Sequence, residues 1–214
     1  MAASRFSTFL ESFDADPKRR GTQWENVCKW FLETDPVYRT LLKKVWLWNK
    51  WPGRWGPDAG IDLVAQAKDG TYWAIQAKAY APENTVTKQD MNKFLAESAR
   101  SEIDHRLLIA TTRHVSSNAT RACKAAEKPV RFLLRHDLDR REGLLWPVSY
   151  AAWAKGRQSE VETETPTTPS TGRAAGSAEA TQAARSWASD SGLWHGALYQ
   201  AHCTPTRLPA PFPL

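Results

Sequence analysis

Between Gly60 and Tyr80 the chain spells out a β-hairpin, and few folds can accommodate what it carries. Ile61-Asp-Leu-Val-Ala65 is apolar except for one acid, Tyr72 to Ala79 alternates, and Gln66-Ala-Lys-Asp-Gly70 lies between them. Asp-Gly after alternating apolar residues is a strong reversal signal. Successive strand side chains point to opposite faces, so Gln76 and Lys78 share one face while Trp73, Ile75 and Ala77 point the other way, into a core. The reversal brings Asp62 alongside the polar pair. A carboxylate, a carboxamide carbonyl and an ammonium gathered in this way can hold a hard divalent cation and polarise a water molecule near a phosphate.

The flanking sequence supplies the rest of a domain. Thr22 to Glu33 sets Trp24, Val27, Cys28, Phe31 and Leu32 at helical spacing, with Gly21 read as the residue before the helix. Pro36 to Leu42 predicts a turn or two of helix, Lys44 to Asn49 a strand, and Trp51 to Gly60 a stiff loop rich in Trp, Pro and Gly. Val86 to Ala99 reads as a helix capped by Thr85 or Thr87, with Met91, Phe94 and Leu95 inward. A strand over Arg106–Thr112, a helix over Ser117–Glu127 and a strand over Val130–Arg135 follow. This order predicts an α/β fold in which a mixed central β-sheet is flanked by helices.

Nine of the eleven tryptophans precede residue 155. Trp24, Trp46 and Trp73 read as core, and Trp48, Trp51 and Trp55 as packing of the loop before Asp62, with base stacking as the rival use.

Charge and composition divide the chain. The formal net charge of +6 belongs wholly to the part before residue 155, because the remainder holds five basic and five acidic residues. Such a surplus suits a polyanionic partner, with phosphate contacts making binding salt-sensitive. Residues 155–185 are rich in Thr, Pro, Ser, Ala and Gly and read as a low-complexity linker. Residues 186–214 carry Trp187, Leu193, Trp194, Leu198 and Tyr199 but too little for a core, so a disordered C-terminal tail is expected behind a domain at 1–154. The three cysteines, Cys28, Cys123 and Cys203, have no paired spacing for zinc, and their odd number argues against a disulfide framework. No run approaches the ~20 apolar residues of a membrane helix. A cytoplasmic setting with no membrane partner is the expectation.

Gly60-Ile-Asp62 and Gln76-Ala-Lys-Ala-Tyr80, in this order and separation, resemble the PD-(D/E)XK nuclease superfamily, the restriction-endonuclease-like fold, and within it the Mrr-like branch. Asp58 fits the lead-in to Gly-Ile-Asp, and Gly21-Thr-Gln-Trp-Glu25 resembles the family's first-helix signature. The wording Trp46-Leu-Trp-Asn and Trp51-Pro-Gly-Arg-Trp-Gly-Pro-Asp is most similar to the N-terminal nuclease domain of Type ISP restriction enzymes and predicted helicases.

The resemblance implies a metal-dependent DNA endonuclease of a restriction system, using Mg²⁺ with Mn²⁺ as a substitute. Asp62, Gln76 and Glu25 would be metal ligands; Asp62, Gln76 and Lys78 would be the catalytic set, with Lys78 holding the attacking water. Lys18, Arg19, Arg20, Arg54 and Lys88 would grip DNA. The implied partners are DNA and helicase/translocase or methyltransferase components, and a homodimer is compatible with this plan. No Gly-x-x-x-x-Gly-Lys-Ser/Thr phosphate loop follows Trp153, so the expectation is a truncated or standalone nuclease module. A catalytically silent DNA-binding module and an interaction remnant of a restriction complex stay open at this point.

Overall fold

Asp16-Pro17 starts the first long helix earlier than its apolar stripe suggests. In the computed structural model, which describes residues 4–57 and 60–163, the Asp16 carboxylate accepts the Arg19 N–H and Pro17 occupies the first turn of α2 (Pro17–Thr34). Proline there sacrifices an N–H that would have no helical partner anyway. Gly21 therefore lies inside α2, not before it, and Lys18, Arg19 and Arg20 sit in its opening turns. The expectations for Asp58 and for the segments beyond residue 163 fall outside the described residues, all of which belong to one unit, Met1–Gly172.

Before α2 comes α1 (Arg5–Glu11), which the sequence pattern does not announce; after it come α3 (Tyr38–Leu41) and β1 (Leu42–Leu47), then a 3-10 turn at Trp48–Lys50. The hairpin is β2 (Leu63–Ala67) and β3 (Tyr72–Lys78). Its tip is closed by the Ala67 N–H on the Thr71 carbonyl and by Gly70 at φ +96, a backbone state that costs glycine nothing. Then follow β4 (Thr85–Val86), α4 (Lys88–Glu97), β5 (His105–Ala110), β6 (His114–Val115), α5 (Ser117–Ala125), β7 (Val130–Leu133), α6 (Arg135–Asp139) and α7 (Tyr150–Thr163). Thr87 caps α4 in a reciprocal box with Asp90.

The main sheet has the order β1-β2-β3-β5-β7, and β4 pairs with β6 in a small second sheet. β1, β2 and β3 run antiparallel, whereas β3, β5 and β7 are parallel. The parallel pairs need crossovers, and α4 and α5 supply them. The α/β reading with a mixed sheet between helices therefore describes the molecule.

Strand alternation divides the core into two layers. Leu63, Ala65, Ile75, Leu107 and Ile109 pack with Trp24, Phe31 and Leu32 of α2 and with Phe6 and Phe9 of α1. Val64, Ala74, Leu108 and Ala110 pack with Met91 and Phe94 of α4 and Cys123 of α5. Each fully buried Leu or Phe contributes roughly 1.5–3 kcal/mol, which clamps α2 and α4 against opposite faces. The Trp24 indole N–H also donates to the Ile109 carbonyl at 3.4 Å.

Buried charge is tied off locally. Arg106, 4% exposed, donates to the carbonyls of Leu95, Ser98 and Lys128, so a cation meets the C-terminal end of α4, where the helix dipole favours it. Cys28 and Cys123 are buried free thiols.

Candidate active site

Gly60 sets the entry to the site. Its φ is +62, and a Cβ there would lie 2.9 Å from Lys93 Cγ and 3.2 Å from the Phe94 backbone nitrogen of α4. Only glycine makes both the left-handed turn and the close approach without strain. The turn drives Ile61 into the α4-side core and delivers Asp62 to the end of the hairpin.

There the strands part. The Asp62 N–H donates to the Ile75 carbonyl at 3.0 Å and its carbonyl accepts from the Trp48 N–H at 2.8 Å, so the ladder reaches Asp62 and stops. The regular register ends with Leu63 opposite Ile75, and the Asp62 N–H still reaches that same Ile75, so the backbone of Asp62 falls short of Gln76. The next inward N–H of β3, that of Ala77, donates to Asp62 Oδ2 at 2.7 Å, and Gln76 Nε2 donates to the same oxygen at 2.9 Å. The carboxylate thus takes the ladder position that the β2 backbone vacates. Gln76, only 5% exposed, finds in Asp62 the partner a buried amide needs.

Glu25 approaches from α2. It lines a cavity of about 200 Å³ with Asp62, Ile61, Leu47, Trp48 and Asn49. Burial, and then the neighbouring Asp62 charge, push its carboxyl up to about 7. The same two acids, after burial itself, hold the Cys28 thiol beneath them well above its ordinary value. Two like charges in a half-buried recess form a site short of positive charge, the environment that raises a carboxyl pKa.

Lys78 stands two residues beyond Gln76 on the same side of β3. The Thr111 N–H bonds the Lys78 carbonyl at 3.0 Å, fixing this strand end. Asp90, in the first turn of α4, has its carboxyl lowered: burial opposes this, but bonds from Thr87 and Tyr80 and the Lys78 charge prevail. Tyr80 is pushed up to about 12 by burial and then by its bond to Asp90.

The family model for the Mrr-type catalytic domain, described as a restriction endonuclease, matches residues 33–152. The chain belongs to the restriction endonuclease family. Among solved structures it is similar to the ATP-dependent Type ISP restriction-modification enzyme LlaBIII bound to DNA, with 24% identity and a TM-score of 0.55 over 89% of this chain and 11% of that one. It is also similar to the modification-dependent restriction endonuclease AspBHI (18% identity, TM-score 0.42, 75% of this chain and 43% of that one). A third is the MspJI restriction endonuclease in complex with a 27-mer oligonucleotide (14%, 0.40, 78% and 41%). No curated protein matches. The first likeness shows a shared fold, and the chain spans only 11% of that enzyme's length.

In this restriction endonuclease domain the matched range contains Asp62, Gln76 and Lys78 but not Glu25. The structure joins Asp62 and Gln76 directly and brings Glu25 into the cavity that Asp62 lines; Lys78 is not among the residues lining it, and its charge acts on Asp90. The five basic residues scatter by comparison. Arg19 pairs with Asp14 at 3.5 Å and Arg20 Nε donates to the Asp14 carbonyl; Lys18 is exposed beside them, Arg54 is exposed in the loop, and Lys88 is exposed at the start of α4. Trp48 and Trp51 are buried and pack with Trp55 as a three-ring cluster. The Trp48 indole N–H holds the Gly56 carbonyl, and that of Trp55 holds Glu97. These rings are therefore spent on shaping the loop that walls the cavity. Asn49, which lines the cavity, is not among the residues the sequence singles out; its only signal is a polar residue closing the Trp-Leu-Trp run.

No helix among the described residues is long and apolar enough to cross a membrane.

Proposed function

We propose that this domain hydrolyses phosphodiester bonds in DNA with a divalent metal ion, Mg²⁺ or in its place Mn²⁺, as the cutting module of an anti-phage restriction system. The observation that carries the reading is the Asp62 carboxylate, pinned by the Ala77 N–H and Gln76 at the parted strand ends beside a Glu25 carboxyl raised to about 7. Oxygen donors with excess negative charge fit a hard divalent cation. Asp62 and Glu25 would hold it, and rotation of the Gln76 amide would offer its Oε1 in place of Nε2. Such an ion supplies Lewis acidity, drawing charge from the scissile phosphate and acidifying a water molecule.

The chain's own groups do the rest. Lys78 Nζ orients the attacking water and stabilises the negative charge that builds on the phosphate oxygens. Gln76 adds no charge, so the site depends on Asp62 and Glu25 more than a three-acid site would. Lys18, Arg19, Arg20, Arg54 and Lys88 grip the DNA backbone. The LlaBIII likeness supports a setting in which a helicase-like translocase and a methyltransferase, on the same polypeptide or a separate one, act with this module.

Plasmid DNA incubated with the purified chain and Mg²⁺ or Mn²⁺ tests the reading. Asp62→Ala and Lys78→Ala should each slow nicking by at least about 10²-fold, or ~2.7 kcal/mol of transition-state stabilisation. Nicking that survives Asp62→Ala sinks it. Salt-dependent binding without cutting in either metal would instead mark a silent DNA-binding module.

A further inference from the structure

We propose that the furrow between α2 and edge strand β1 is a second DNA-backbone site, gripping phosphates roughly four nucleotides from the scissile bond. The inference rests on the nuclease reading and adds a contact surface to it.

β1 ends the main sheet, and its pairing with β2 slips between Leu42 and Lys44. In a regular strand, neighbours point to opposite faces. Here the irregularity leaves both Lys43 and Lys44 exposed, as a bulge does. Beside them α3 contributes Arg39, also exposed. The three cations border a hollow of about 300 Å³, floored by apolar side chains of α2 and β1, with Glu33 on its rim. Glu33 is bonded by Lys29, one helical turn back, so its charge is already matched. Lys44 Nζ lies 5.1 Å from the Trp46 ring centre, further along the strand.

The same two elements lead from this hollow to the candidate active site. Glu25, Lys29 and Glu33 repeat at four-residue steps and so share one flank of α2. Glu25 lines the cavity with Asp62, and Glu33 lines the basic hollow. β1 runs alongside, with Lys43 and Lys44 at the hollow and Leu47 at the cavity. Eight helical residues span ~12 Å, and the four strand steps from Lys43 to Leu47 span ~13 Å. The two elements agree. At ~3.4 Å of duplex axis per nucleotide, that distance is roughly four nucleotides. Cations at this spacing along a furrow would meet one strand's phosphates on one side of the cut.

Edge lysines also guard sheets against unwanted strand pairing. That role explains Lys43 and Lys44 but requires neither the hollow nor an arginine from another element. The two accounts part in a binding experiment on the full chain. Duplex DNA is titrated across a salt series with Ca²⁺ in place of Mg²⁺, using wild type and the triple variant Arg39→Gln, Lys43→Gln, Lys44→Gln. The slope of log K against log salt should fall by about one for each phosphate that is no longer neutralised, two to three in all, with binding weakened for every duplex sequence. An unchanged slope and affinity overturns the proposal, and self-association of that variant would then assign the lysines to edge protection. Failure of wild type to bind duplex at all would instead bring down the nuclease reading.

A single-site probe covers the case of a poorly folded triple variant. Lys43→Cys, made with Cys203→Ser and carrying an aryl azide, should photocrosslink to duplex DNA; absence of any adduct under conditions where the protein binds overturns the assignment.

Discussion

One helix carries both kinds of buried acid, and they are treated in opposite ways. Asp35, the C-cap of α2, is 0% exposed, yet it accepts from the Val37 and Tyr38 N–H groups and from both arms of the Arg141 guanidinium. Glu25, ten residues earlier, is half-buried beside another acid and carries a carboxyl raised to about 7. The scaffold acid is neutralised by a fork of matching geometry. The acids of the candidate site are set against each other, an arrangement that costs stability and makes sense where a cation is to arrive.

The sharpest way to break this contrast is to strip the partner from the scaffold acid. Arg141→Ala leaves Asp35 buried without its guanidinium and should cost about 3–5 kcal/mol in urea unfolding, with cleavage per folded molecule retained. A loss below about 1 kcal/mol would show that the pair does not hold this region. Next comes Gly60→Ala. A side chain at positive φ, pressed against Lys93 and Phe94, should cost about 1–3 kcal/mol and also displace Asp62, so DNA cleavage should fall further than the lost stability explains.

The smallest effect is expected at Glu25, whose partial exposure screens its charge. Its carboxyl is higher in the folded state (about 7) than its ordinary 4.5. The protonated form is therefore favoured by folding, and its contribution is present below about pH 4.5 and lost as pH rises through about 7. In chelator, wild-type thermal stability should decline across that window and Glu25→Gln should flatten the decline. Added Mg²⁺ at pH 8 should raise the wild-type Tm more than that of the variant. Equal responses would remove Glu25 from the proposed ligands.

How far the sequence can be read follows the range of each interaction. The hairpin is legible because period-two alternation and Asp69-Gly70 are local signals, and they bring Asp62 and Gln76 to the same end of it. The start of α2 is misplaced when Gly21 is read as a boundary, because the Asp16-Pro17 cap lies five residues upstream. Asp35 and Arg141 stand 106 residues apart, and no spacing rule links them. Glu25 is suggested by family resemblance alone, since its approach to Asp62 depends on how α2 crosses the sheet. Lys43 and Lys44 look like ordinary solvated charges in the sequence, because a strand irregularity and a neighbouring helix are needed to gather them with Arg39. Asn49 is hidden for a similar reason, as its position depends on the turn at Trp48–Lys50.

On the side of β3 that faces β2, the Ala77 N–H meets a side chain rather than another backbone. An amide held in this way exchanges its proton with solvent whenever the acid swings aside. Deuterium uptake at that one position is therefore a clock for how often the carboxylate leaves its post, and slowing of that clock by Mn²⁺ would be visible without cutting a single DNA molecule.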